Sequence, residues 1–198
     1  MDDDGSSTLL DDVCAERPSV DSETLSYIVA LGVELAREGR EGRKVGTIVT
    51  VGDADAVLDV SQPLILDPLT GHDDAARRID RPDVRETLKE LALLDGAFVV
   101  TDDGVAVSAA RYLAADATGL ELPMGLGSRH QAAAAVTRAT NAVAVVVSES
   151  AVVRLMDDGE LVAEIIPELW ILNRYSSQID APVLTRSDEQ VTVMSRVE

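Results

Sequence analysis

Ser128, Arg129 and His130 stand between the glycines of "GLGS" and the alanine run of "QAAAAV". A glycine turn entering a helix exposes unpaired backbone N–H groups and the positive end of the helix dipole, which together form a site for an anion. Phosphate is the natural occupant. Arg129 adds a forked pair of donors, His130 a further donor, and Ser128 both a cap and a hydroxyl. Gly127 before them and Gln131 after them belong to the same candidate site. The pattern lacks the Gly-Lys-Ser/Thr of a P-loop and the spaced glycine triplet of a dinucleotide fingerprint. A plain capped surface helix accounts for the same residues.

Asp95-Gly96-Ala97 is a second candidate. An acidic residue near a helix C-terminus sits at the unfavourable end of the dipole, and here it leads directly into an apolar strand. A carboxylate at a strand edge near phosphates is a way to hold a divalent metal and to help deprotonate an attacking hydroxyl. An acidic turn residue is the competing explanation. Ser148-Glu149, after the apolar run "AVAVVV", is a third polar pair, placed where an open α/β sheet presents a site.

The elements that must carry these residues follow from periodicity. "SETLSYIVALGVELARE" has Leu25, Ile28, Val29, Leu31, Val33 and Leu35 in a helical pattern, with Asp21 or Ser22 as cap and Glu23 in the first turn. Arg37, Arg40, Arg43 and Lys44 gather at its far end, either compensating the dipole or steering an anionic ligand. "VGTIVTVGD" reads as a strand ending in a Gly-Asp turn, and "PLILDPLTGHDD" as a short strand and loop with His72 on the surface. "RPDVRETLKELALL" is a helix with Val84, Leu88, Leu91 and Leu94 on one face. "AFVV" and "VAVSAARYL" are strands joined at Asp102-Asp103-Gly104. The alanine-rich helix comes next, then the buried strand "AVAVVVS", then a hairpin turning at Asp158-Gly159, with a short helix after Pro167. Strands interleaved with helices, some joined by hairpins, predict a single α/β domain built on a mixed sheet.

Composition narrows the function classes. The 198 residues suit one domain, with residues 1–20 an acidic mobile tail. The 36 acidic and 17 basic residues give a net charge of −19, and only Lys44 and Lys89 are lysines. A polyanion needs a basic footprint, so nucleic acid is disfavoured as a partner. Acid excess with few lysines suits molar salt, where the Debye length is about 3 Å and self-repulsion costs little; a halophilic source is expected. No apolar run reaches the roughly 18 residues of a membrane span, and the acidic N-terminus is unlike a signal peptide, so a cytoplasmic, stand-alone protein is expected. The lone Cys14 has no second cysteine to pair with and is assigned no role.

"LDGAFVV", then "GSRHQAAAAVTRATNAVAVVVSE", then a hairpin, resembles in order and spacing the diadenylate cyclase domains, with their Asp-Gly-Ala and Gly-Thr-Arg-His-Arg motifs. The likeness runs from about Gly39 to Ile166, and "GREGRKVGTIVTVGD" is similar to the archaeal branch. The resemblance implies a mixed sheet of about seven strands flanked by helices. It implies a cyclase domain over 21–176 followed by a C-terminal extension over 177–198. It also implies condensation of two ATP into cyclic di-AMP and pyrophosphate, with Mg²⁺ or Mn²⁺, by two protomers that face each other in a homodimer or larger homo-oligomer. By the same resemblance Asp95 binds the metal and activates the ribose 3′-hydroxyl, Gly96 and Ala97 admit the nucleotide to the backbone, and Ser128, Arg129 and His130 hold the phosphates. Leu113, in "ARYLA", falls where the family contacts adenine; a core leucine is the other reading. Two positions depart from the family: Ser128 replaces Thr and keeps the hydroxyl, whereas Gln131 replaces Arg and removes a charge. A non-catalytic module sensing ATP or cyclic di-AMP is the alternative that Gln131 favours. A hydrolase using Asp95 and His130 lacks a nucleophile.

Overall fold

The Asp21 carboxylate accepts a hydrogen bond from the Thr24 N–H at 2.8 Å and so starts the helix α1 (Ser22–Glu38), where the sequence places it. All six apolar residues of its predicted stripe are buried. The structure, a computed structural model, describes residues 13–15, 20–167, 179, 182–187 and 192–196. The helix expected after Pro167 and the boundary at 176 lie outside the described residues. Beyond the α1 C-terminus Arg40 is not a free cation, because it pairs with Glu86 and Glu90; Arg43 and Lys44 are exposed.

The elements that follow are β1 (Thr47–Val51), α2 (Ala54–Asp59), β2 (Ser61–Pro63), α3 (Pro82–Leu91), β3 (Ala97–Val100), β4 (Ala106–Leu113), α4 (Ser128–Ala139), β5 (Val143–Val147), β6 (Val153–Asp157), β7 (Glu160–Ile166), β8 (Val183–Ser187) and β9 (Thr192–Arg196). The strands form one sheet in the order β2-β4-β3-β1-β5-β6-β7-β9-β8, in which β1 and β3 are parallel and the other pairs antiparallel. The sheet therefore has nine strands rather than about seven. The two additional strands, β8 and β9, come from the segment expected to be an extension, and β9 pairs with β7 to lengthen the same sheet.

Alternation along the central strands divides the core between two faces. Val49, Val51, Val143, Val145 and Val147 pack under α1, whereas Ile48, Ala144 and Val146 pack under α4. Every residue of β5 is buried, which is why "VAVVV" shows no polar alternation. On α4 the run Ala133, Ala134, Ala135 and Val136 is buried, and Ala133, Ala134 and Val136 pack in the core beneath the helix. The alanine run is thus an internal packing surface.

Three local expectations change. α3 ends at Leu91, so Leu94 lies beyond the helix and is exposed rather than on its buried face. α2 follows Gly52-Asp53 directly, and its six residues are too few to show a helical period. Val13 and Cys14 are buried in the core under α1, so the expected tail does not extend over them: both side chains are apolar and find apolar partners there. His72 is exposed, as expected.

Candidate functional site

The start of β3, the end of β4 and the first turn of α4 converge on one cleft of about 310 Å³. Asp95, Gly96, Ala97, Leu113, Ser128 and Arg129 line it, joined by Ile48, Leu64, Arg111, Tyr112 and Ala132. The sheet thus brings together residues separated by more than thirty positions in the sequence.

Gly96 is fixed by its backbone. Its φ is +104°, and a Cβ there would lie 2.7–2.9 Å from backbone atoms of Ala110 and Arg111. The close approach accompanies two register shifts between β3 and β4, and Ala110 itself has φ +52°. Such bulges re-aim the side chains that follow, and here Arg111, Tyr112 and Leu113 border the cleft. Leu113 is buried and pairs with Ser61 of β2. Arg111 is anchored, with Nε donating to Ser61 Oγ at 3.1 Å and Nη2 to the Leu58 and Ser61 carbonyls.

Gly127 is the N-cap of α4, in extended conformation and without a side-chain cap, so Ser128 is the first helical residue and does not cap the helix as expected. The His130 and Gln131 N–H groups donate to the Gly127 carbonyl, at 3.0 and 3.3 Å, which leaves the Ser128 and Arg129 N–H groups at the start of the helix with no carbonyl within it to reach. The Arg129 guanidinium lies between two carboxylates, with Nη1 3.1 Å from Glu149 Oε1 and Nη2 3.8 Å from Asp95 Oδ1. Beneath it is Gly46, where a Cβ would come within 2.6 Å of Nη1. Asp95 is 91% exposed, so its carboxylate is open to solvent and to ligand.

His130 and Gln131 point elsewhere. His130 is buried, and its Nε2 lies 3.3 Å from Nη1 of Arg154, whose Nε donates to Glu164 at 2.9 Å. Burial first, then the neighbouring Arg154 and Arg129 charges, press the imidazole pKa down to about 4 against the opposing pull of Glu164. The ring is therefore neutral at physiological pH. Gln131 is exposed and borders a separate depression formed with residues 117–126. Ser148 is half-buried and donates to the Val152 carbonyl at 3.1 Å, and its Oγ lies 2.6 Å from Ser150 Oγ.

Sequence reasoning missed Gly46, Arg111, Tyr112 and Arg154. Tyr112 had a signal, as an aromatic beside the candidate Leu113, and so did Arg154, as a charge inside an apolar strand. Gly46 and Arg111 had none, since their role depends on strand neighbours.

The donor set suits a hard divalent cation that completes its shell with phosphate oxygens. Among the described residues no three His, Cys, Asp or Glu side chains cluster as a protein-only cage. The exposed Asp95 carboxylate beside the α4 N-terminus can supply one ligand to a divalent cation whose other ligands are substrate phosphates and water.

A mixed sheet, a helix N-terminus with an arginine and an open carboxylate on one cleft define an α/β domain of the nucleotide-binding kind. The family model described as "DisA bacterial checkpoint controller nucleotide-binding" matches residues 34–161. The chain belongs to that family, the DAC family. A diadenylate cyclase of Methanocaldococcus jannaschii is 47% identical over 150 residues, which cover 75% of this chain and 47% of that protein. A diadenylate cyclase of Haloferax volcanii is 41% identical over 151 residues, covering 76% and 55% respectively. The chain thus spans about half the length of these curated relatives. The crystal structure of a hypothetical membrane spanning protein from Bacillus cereus superposes with a TM-score of 0.53 at 23% identity, over 73% of this chain and 63% of that one, a likeness of fold. In the described part of this chain no helix is long and apolar enough to cross a membrane.

Proposed function

We propose that the chain is a diadenylate cyclase that joins two ATP molecules into cyclic di-AMP and releases two pyrophosphates. The observation that carries this reading is the placement of Asp95 and the first turn of α4, with Arg129, on one open cleft. A nucleotide seated against Gly96 and Leu113 would set its phosphates toward the Ser128 and Arg129 N–H groups, the Ser128 hydroxyl and the Arg129 guanidinium. Arg129 would exchange Glu149 for a phosphate oxygen. Mg²⁺ or Mn²⁺, held by Asp95 and phosphate oxygens, would supply charge neutralisation at the transferred phosphorus.

Each bond forms when a ribose 3′-oxygen attacks the α-phosphorus of the other ATP in line with the departing pyrophosphate. The bond from the α-phosphorus to the bridging oxygen breaks, and Asp95 takes the hydroxyl proton. One cleft holding one ATP has no second α-phosphorus to offer. Two protomers therefore bring their clefts face to face, and two such steps close the ring.

The acid excess, with only two lysines, supports a protein at work in high salt. Gln131 lies outside the cleft lining, so the charge it lacks is missing from the flank rather than from the Arg129 site. The experiment is to incubate the protein with ATP and Mn²⁺ in molar salt and identify the products. Cyclic di-AMP is expected; ATP bound but unchanged would select a sensing module, and ADP or AMP a hydrolase.

A further inference from the structure

Behind the cleft, on the sheet face covered by α4, lies a buried ionic group that the proposed chemistry does not use. Arg154 of β6 is 5% exposed and Glu164 of β7 is fully buried. The two stand directly opposite each other in the β6–β7 ladder, with the Arg154 Nε donating to Glu164 Oε1 at 2.9 Å. Removing two such charges from water costs several kcal/mol per ion, and an apolar pair would fill the same space more cheaply.

The other end of the guanidinium accounts for the charge. Nη1 of Arg154 lies 3.3 Å from His130 Nε2, in the first turn of α4, and 3.5 Å from Ser148 Oγ, at the entry to the 148–150 turn. These are the two segments that carry Arg129 and Glu149, which meet at 3.1 Å across the cleft rim. A guanidinium has donors only, so the His130 Nε2 that faces it holds a lone pair and the proton resides on Nδ1. Nδ1 is itself buried and has no hydrogen-bond partner among the described residues. Among the described residues Arg154 makes the one hydrogen bond to the ring, and that bond selects the tautomer.

We propose that Arg154, held by Glu164, is a positioning residue for the anion site: through His130 and Ser148 it locks the first turn of α4 to the 148–150 turn and so sets where Arg129 stands. This rests on the cyclase reading for its effect on rate, but its geometry is independent of that reading. His130 then serves as a strut between Arg154 and the helix, while Ser128 and Arg129 face the ligand.

The test compares the wild type with Arg154→Met and with the double variant Arg154→Met/Glu164→Met. The single variant strands a buried carboxylate and is expected to be unstable; the double removes both charges together and is expected to be more stable than the single variant, with its fold checked by circular dichroism. With a misplaced Arg129 the double variant should lose about 100-fold in kcat, since errors near 1 Å in positioning cost that much, and should bind ATP more weakly, because the same guanidinium grips the phosphates. Nitrogen-15 spectra should show a single Nδ1–H tautomer of His130 in the wild type and a mixture in the double variant. The Arg129 Nε–H order should fall in the double variant without change elsewhere. A folded double variant with wild-type kcat and an unchanged Arg129 signal would overturn the proposal, as would an Nε2–H tautomer in the wild type. If the wild type makes no cyclic di-AMP, the cyclase reading fails, and the two spectroscopic results still decide the positioning role.

Discussion

Asp95 and His130 sit at opposite extremes of exposure, and their variants should fail in opposite ways. Asp95 is 91% exposed, so Asp95→Asn removes a charge and no packing. Its melting curve should match the wild type, while cyclic di-AMP synthesis falls more than tenfold, because loss of a metal-binding carboxylate removes several kcal/mol of transition-state stabilisation. Residual synthesis above about a tenth would remove Asp95 from the chemistry. His130 instead reveals itself in stability against pH. Its folded pKa of about 4 lies below the ordinary 6.5, so between those values the unfolded chain binds a proton that the folded chain refuses. Stability should therefore fall as pH drops through that window and level off below it, by roughly 3 kcal/mol from this group alone. Denaturant midpoints measured from pH 7.5 to 4 for the wild type and His130→Gln isolate the effect, since the carboxylates titrate in both. Equal slopes would mean that the ring is not buried beside Arg154.

The strand and helix termini are where sequence and structure part company. Gly96 and Gly127 look alike in the sequence, as single glycines at the edge of a candidate site, yet only Gly96 is fixed by its surroundings. Gly96→Ala forces a Cβ to within 2.7–2.9 Å of the β4 backbone at φ +104° and should cost 1 to 3 kcal/mol or more, visible as a melting temperature lower by several degrees. Gly127→Ala meets nothing within 4 Å and should cost only what alanine loses to glycine as an N-cap, about 0.5–1 kcal/mol. A Gly127→Ala less stable than Gly96→Ala would show that the β3–β4 register is wrong. The Asp158-Gly159 turn was legible because both residues take positive φ, at 47° and 81°, as a two-residue hairpin loop demands. The register beyond it was not. Counting back from that turn sets Arg154 against Ala163, but a one-residue shift between Leu155 and Met156 places Glu164 there, on the same face. Bulges follow from packing against the rest of the sheet and leave no local pattern, so the buried ion pair was hidden while the hairpin was plain. The cleft was legible to the extent that glycine, carboxylate and helix N-terminus mark it locally. Gly46 and Arg111 joined it only through strands that pair across the sheet.

Net charge and the half-open cleft together set how the whole molecule should behave. Each chain carries −19, so two copies repel at low ionic strength, and salt that shortens the Debye length promotes their encounter. If two clefts must meet, the rate per protomer should rise with enzyme concentration and with salt, up to the point where dimers saturate. A complete site within one chain would give a constant specific rate. Mixing separates the two arrangements more sharply. An Asp95→Asn protomer retains Ser128 and Arg129, and a Ser128→Ala/Arg129→Ala protomer retains Asp95. Both substituted segments border the cleft rather than the core, so each variant should fold. In a mixed dimer one bond finds an intact carboxylate on one side and an intact phosphate grip on the other, whereas the second bond finds neither. The mixture should therefore yield at most the linear, singly joined dinucleotide, separable from cyclic di-AMP by chromatography. Full cyclic product from that mixture, or a specific rate that is flat across concentrations where sedimentation shows only monomer, would overturn the facing arrangement.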